Sequence, residues 1–220
     1  MPPKPRTHTP KKKVAPVSGG ERRLLLPVTV AGAGLVLLAV VLGVLLLGGG
    51  SGSENAKAAI EQAGCTFQTV KAAPGIHSVT TPDGKAKWNT SPPTNGPHYV
   101  TPAIFGAYTD PLQPAQVVHN LEHGGIFIQY GPDVPPATVR QLEEFYAGHK
   151  DGTLLAPLPG LGNKIALGAW VSKSASNPDE AVAHLAKCTR FDEDAYSAFF
   201  DNYQFKGPER YPASSLTPGS

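Results

Sequence analysis

Hydrophobic positions along the chain fall into one long uninterrupted block and several short periodic ones. Leu24 to Leu47 holds 24 residues without a charge, and at about 1.5 Å per residue a helix of that length crosses a hydrocarbon core of roughly 30 Å. That block predicts a transmembrane helix. Beyond it, Ala56 to Ala63 predicts a short helix, and Cys65 to Val70 alternates as a strand does. Gly125-Ile126-Phe127-Ile128-Gln129-Tyr130 predicts a strand buried on both faces. Pro135-Pro136 opens an amphipathic helix, with Val139, Leu142, Phe145 and Tyr146 on one side and Arg140, Gln141, Glu143 and Glu144 on the other. Lys164 to Val171 predicts a second inner strand. Asp179 to Lys187 reads equally as helix or strand, since Asn177-Pro178 looks like a helix start. Asp192 caps a last helix that turns Tyr196, Phe199, Phe200 and Tyr203 inward.

The polar intervals set the organisation. Residues 1–23 form a disordered basic tail, 24–47 the membrane helix and 48–57 a flexible Gly/Ser linker, with the domain beginning near Asn55 or Ala58. Residues 58–211 form one globular domain and 212–220 a loose tail. The expected fold class is α+β: a small sheet, long Pro/Gly-rich loops and two or three amphipathic helices. Pro74 to Pro114 is an ordered functional loop, since it mixes turn residues with His77, Trp88, His98, Tyr99, Phe105 and Tyr108. Asp151 to Asn163 is a second loop.

Charge changes the picture by giving direction. The net charge is +2, but seven basic residues and Glu21 precede the apolar block, whereas 12 basic residues face 16 acidic ones after it. The basic flank holds the N-terminus in the cytoplasm and exports the C-terminal domain on a single-pass anchor in the cell membrane. The partner implied is the bilayer, with a cell-envelope protein as another candidate. A mildly acidic domain lacks the clustered Lys and Arg that nucleic acid requires. A cleaved signal peptide is the alternative for the apolar block, which is longer than such peptides carry. Both cysteines, Cys65 and Cys188, lie on the exported side, where an oxidising compartment favours a disulfide between them. A lipidated Cys65 and a pair of thiolate ligands are the competing readings.

Candidate chemistry concentrates in Val118-His119-Asn120-Leu121-Glu122-His123-Gly124-Gly125. Two imidazoles four residues apart share one face of a helix and can grip a transition metal. Gly124-Gly125 ends any such helix, and the expectation is that at most a single turn precedes it. That makes the motif a corner at the head of a strand and separates it from zinc peptidases that carry an inverted His-x-x-Glu-His signature within a helix. His98, presented by the stiff Ser91-Pro92-Pro93-Thr94-Asn95-Gly96-Pro97 segment, is the candidate third ligand. His77 ranks below it, and His149 and His184 lower still. The expected ligand set is His98, His119 and His123, with Glu122 as fourth ligand or as the acceptor that orients an imidazole. Imidazole suits copper or zinc, and the single Met argues against a thioether-rich Cu(I) site. The alternatives are a metal-free cell-envelope interaction module, in which these histidines close a loop by hydrogen bonds, and a metal-dependent hydrolase with Glu122 as general base.

Pro92-Pro93-Thr94-Asn95-Gly96-Pro97-His98-Tyr99, Gly106-Ala107-Tyr108 and Val118 to Gly124, with Ala169-Trp170 and Gly207-Pro208-Glu209 more loosely, together resemble a bacterial family of single-pass membrane proteins catalogued as domain of unknown function 3105. The likeness covers most of residues 64–210. Asn95 stands where the family more often has Ser, and the stretch between Trp170 and the last helix is longer. The resemblance implies the architecture and the importance of the histidine motifs, and it implies no reaction.

Overall fold

Strand Thr66–Lys71 (β1) is half-buried only at Phe67 and Val70 and exposed elsewhere, as befits the edge of a sheet. The structure, a computed structural model, describes residues 52–78, 88–174 and 180–220. Helix Gly52–Gln62 (α1) precedes β1. There follow the two-residue strands His77–Ser78 (β2), His98–Tyr99 (β3) and Gly106–Ala107 (β4), then helix Pro114–Glu122 (α2) and strand Ile126–Tyr130 (β5). Helix Pro136–Gly148 (α3), strands Thr153–Pro157 (β6), Ile165–Val171 (β7) and Val182–Cys188 (β8), and helix Glu193–Tyr203 (α4) complete the order. Residues 24–47, read as a membrane helix, lie outside the described residues, as do the linker residues 48–51 and the Asn177-Pro178 signal. Among the described residues no helix is long and apolar enough to cross a membrane.

Residues 50–220 make one compact unit, an α+β domain around a mixed six-stranded sheet in the order β1-β8-β7-β5-β6-β4. The first four strands pair antiparallel, and β5, β6 and β4 pair parallel. Helix α3 makes the crossover that a parallel β5–β6 pair needs. The period-two alternation of the inner strands divides the core. Ile126 and Ile128 of β5 join Ile60 of α1, Leu142 of α3 and Phe199 of α4 on one face. Phe127 turns to the other, with Leu154, Trp170, and Val118 and Leu121 of α2. Three helices thus cover one face, while α2 and the Pro/Gly-rich loops cover the other, where His77, His98, His119 and His123 lie.

Several expectations change. Helix α1 begins at Gly52, inside the stretch read as a tether, because Ala56 and Ile60 bury completely against the core. The ambiguous 179–187 segment is strand β8 from Val182. The 151–163 loop contains β6, whose short Thr-Leu-Leu-Ala-Pro run is decided by pairing with β5. The 212–220 tail packs down: Leu216 is buried, its carbonyl accepts from the Gly152 amide, and Phe105 N–H donates to the Ser220 carbonyl at 2.9 Å. The disulfide Cys65–Cys188 joins the start of β1 to the end of β8. Asp192 caps α4 as expected, accepting from the Ala195 amide at 3.1 Å.

Candidate metal centre

Two pieces of backbone deliver the site. The first is the 88–99 loop, closed by its own polar side chains: Thr90 and Thr94 hydroxyls lie 2.8 Å apart, Asn95 Nδ2 donates to Asn89 Oδ1 at 2.7 Å, and Asn95 Oδ1 accepts from the Ala73 amide at 2.7 Å. Trp88 Nε1 donates to the Pro97 carbonyl at 3.0 Å. This knot leaves β3 one course, parallel to β2, with His77 and His98 in register. Their rings meet edge to face, with centroids 4.7 Å apart.

The second piece is α2. Pro114 stands at its start, where the missing amide costs nothing, and nine residues make about two and a half turns. The His-x-x-Glu-His motif therefore rides on a longer helix than the single turn expected, because Val117, Val118 and Leu121 bury its inner face. Asn120 ties it to the preceding loop, accepting from the Ala103 amide at 2.9 Å and donating to the Ala103 carbonyl at 2.8 Å. The helix stops at Gly124, whose φ of 97° L side chains rarely adopt, and whose Cα faces the backbone of Phe205 and Gly207.

These elements converge His77, His98, His119 and Glu122, whose candidate ligand atoms all lie within 4.8 Å of one another. His77 is the exposed member and the other three are buried. Glu122 Oε2 lies 2.9 Å from His98 Nε2 and 3.5 Å from His77 Nε2. Gly75 packs over the carboxylate so closely that a Cβ there would meet Glu122 Oε1 and push the carboxylate aside. His123, expected among the ligands, reaches the group from one side. Its Nε2 sits 3.0 Å from His119 Nε2 and 3.6 Å from Glu209 Oε2, and its ring packs 4.2 Å from that of Tyr211. His77, ranked low in the sequence, joins the cluster because β2 pairs with β3, a contact with no periodic signature. His184 stays apart, on β8 between Phe67 and Tyr203, and His149 stacks on Phe145.

Hydrogen bonds at Nδ1 settle which ring nitrogens are available. His98 Nδ1 donates to the Gly96 carbonyl at 2.8 Å, and His119 Nδ1 donates to the Tyr99 carbonyl at 2.7 Å. A carbonyl only accepts, so both neutral rings carry their proton on Nδ1 and a bare lone pair on Nε2. The His98 lone pair then confronts a carboxylate oxygen at 2.9 Å, and both atoms are buried without a properly aligned hydrogen bond. Two electron-rich atoms hold that separation only with a cation between them, a proton or a metal ion.

Electrostatics follows from the crowding. Burial lowers the His119 pKa to about 4, with neighbouring imidazoles reinforcing the shift against the Tyr99 carbonyl. Burial, followed by the other imidazoles, also lowers His123 against the pull of Glu209 and Glu122. For His98, burial disfavours the charge, but Glu122 and the Gly96 carbonyl together outweigh it and raise the pKa. Burial likewise opposes ionisation of Glu122, and the histidines overcome it to hold the carboxyl below its ordinary value. The centre thus offers neutral imidazole at His119 and a carboxylate at Glu122, the forms in which both ligate metals.

A family model described as "Protein of unknown function (DUF3105)" matches residues 80–215. No curated protein and no solved structure matches the chain.

Proposed function

The chain belongs to the DUF3105 family, whose description assigns no reaction, and from the chemistry of the site we propose that it is a membrane-anchored, extracytoplasmic protein that binds copper or zinc through His77, His98, His119 and Glu122. The observation that carries this reading is the buried confrontation of His98 Nε2 with Glu122 Oε2, two atoms without an aligned hydrogen bond in a cluster of four ligating side chains. Three imidazoles and a carboxylate are a donor set that copper and zinc both accept. Donors around an ion at roughly 2 Å stand about 3–4 Å apart, so the cluster needs only modest closure. The half-exposed His77 is the arm able to provide it. The anchor and the export are supported by the uncharged Leu24–Leu47 block and its basic flank. The Cys65–Cys188 bridge accords with an oxidising compartment.

The test is elemental analysis of tag-free, folded protein dialysed against copper or zinc. One equivalent of metal in the wild type, and loss of it in His98→Ala and Glu122→Gln with the fold retained, is the expected result. A folded wild-type protein without stoichiometric metal overturns the reading in favour of the metal-free interaction module. The hydrolase reading requires Glu122 as a free base, so it predicts instead that Glu122→Gln keeps the metal and loses turnover.

A further inference from the structure

Beside the metal centre, three donor atoms form a series that leads outward to solvent. His119 Nε2 is the innermost, in a buried residue. His123 Nε2 lies 3.0 Å from it, and Glu209 Oε2 lies 3.6 Å from His123 Nε2. Exposure rises in the same order, with the His123 side chain 13% exposed and that of Glu209 49%. His119 belongs to the four mutually close donors of the centre, whereas His123 and Glu209 stand outside them. The segment after α4 fixes the series in place. Phe205 N–H donates to the Gly124 carbonyl at 2.7 Å, and Glu209 N–H donates to the Glu122 carbonyl at 3.0 Å. Between them Gly207 lies so close to the backbone of Glu122 and Gly124 that a Cβ there would overlap it. Tyr211 then packs on the His123 ring, with centroids 4.2 Å apart.

Spacing decides what such a series does. A divalent ion is too costly to carry bare into a protein interior, so it reaches a buried site by gaining one donor before it loses another. Donors that share an ion at roughly 2 Å stand about 3–4 Å apart, and the steps of 3.6 Å and 3.0 Å both meet that requirement. An ion held by Glu209 and His123 is within reach of His119, and through His119 of the other donors of the centre. With the His119 proton on Nδ1, the hydrogen in the metal-free contact between the two rings is the one on His123 Nε2. The ion takes the place of that proton, which passes to water, as happens whenever imidazole takes up a metal. His77, the exposed arm on the Glu122 side, offers the rival way in.

Resting on the metal reading of the site, we propose that Glu209 and His123 are the entry path of the centre: they capture the ion at the surface, pass it to His119, and return it the same way on release. Neither is a ligand of the loaded centre. Their loss therefore changes how fast the ion comes and goes, and leaves the strength with which it is held.

Copper(II) alone is the probe, mixed by stopped flow with the full-length chain in detergent and afterwards withdrawn by EDTA. Trp170, whose ring lies 6.1 Å from that of His98, reports occupancy through quenching of its fluorescence by copper. Glu209→Gln and His123→Phe are each expected to slow loading and release together, by roughly tenfold or more, while retaining one equivalent at wild-type affinity. A surface charge that only steers the ion slows loading alone, and its effect fades at high salt; a lost ligand lowers the affinity. Either of those patterns overturns the proposal, and so do wild-type rates in both variants, which leave entry to His77. Glu209 is half-exposed and its Gln variant keeps the backbone bond to Glu122, so the measurement stands even if His123→Phe fails to fold. A folded wild type that takes up no copper overturns the metal reading and the path with it, whereas a wild type that loads beside variants of unchanged rate overturns the path alone.

Discussion

His98 is oriented as a candidate ligand: its outer nitrogen donates to the Gly96 carbonyl and its inner one is aimed at Glu122. Removing it takes away a candidate ligand and leaves the buried Glu122 carboxylate without its nearest partner. His98→Ala is therefore expected to lower stability even in metal-free protein, and to lose the metal-linked gain as well. That gain, at zinc in hundredfold excess over its dissociation constant, is about 2.7 kcal/mol in the wild type, read as a shift of the urea midpoint. His184 makes a different prediction. Buried on β8, its Nδ1 is 3.0 Å from Thr69 Oγ1, and desolvation lowers its pKa to about 4. The unfolded chain then binds a proton that the folded one refuses. The stability this histidine contributes is complete above about pH 6.5 and falls as the pH drops toward 4, by up to about 3 kcal/mol. Comparing the pH dependence of denaturant midpoints in wild type and His184→Gln should show the slope over that window reduced by close to one proton.

Helix α2 carries the His-x-x-Glu-His motif, and its position depends on its two ends. Asn120 makes both hydrogen bonds to Ala103 from a fully enclosed site, so Asn120→Ala should cost about 2–3 kcal/mol by leaving the Ala103 amide and carbonyl unsatisfied. The same substitution frees the 100–105 segment, which hydrogen exchange at Ala103 would detect. Gly124 ends the helix in the left-handed region, where an L side chain costs roughly 1–2 kcal/mol before contacts are counted. Gly124→Ala adds a Cβ at 3.0 Å from the Phe205 Cα and should destabilise the domain by more than that. Gly124-Gly125 was legible in the sequence as a helix stop. The length of the helix before it was not, because Pro114, Gln116 and Asn120 obscure a hydrophobic period that only Val117, Val118 and Leu121 carry.

For the molecule as a whole, the disulfide closes a sequence separation of 123 residues, which in the chain-entropy account is worth about 4–5 kcal/mol. Reduction should lower the thermal midpoint of the wild type and leave Cys65→Ser/Cys188→Ser unaffected. The α+β class, the inner strands and the amphipathic helices could be read from periodicity because burying one face of an element imposes its repeat on the residues. Strand β6 and the packed C-terminal segment could not. Their burial comes from neighbours remote in the chain, β5 for the one and Phe105 with Gly152 for the other.

By itself the sequence determined the uncharged block with its basic flank, the two cysteines, the proline-braced His98 and the His-x-x-Glu-His spacing, all of them local or compositional features. Only the tertiary structure decided that His77 enters the cluster while His123 stands at its margin, since a two-residue pairing of β2 with β3 leaves no pattern in the chain. It also decided that Glu122 turns its carboxylate onto His98. Such placements arise where segments far apart in sequence are pressed together, and they depend on distances that residue spacing does not encode.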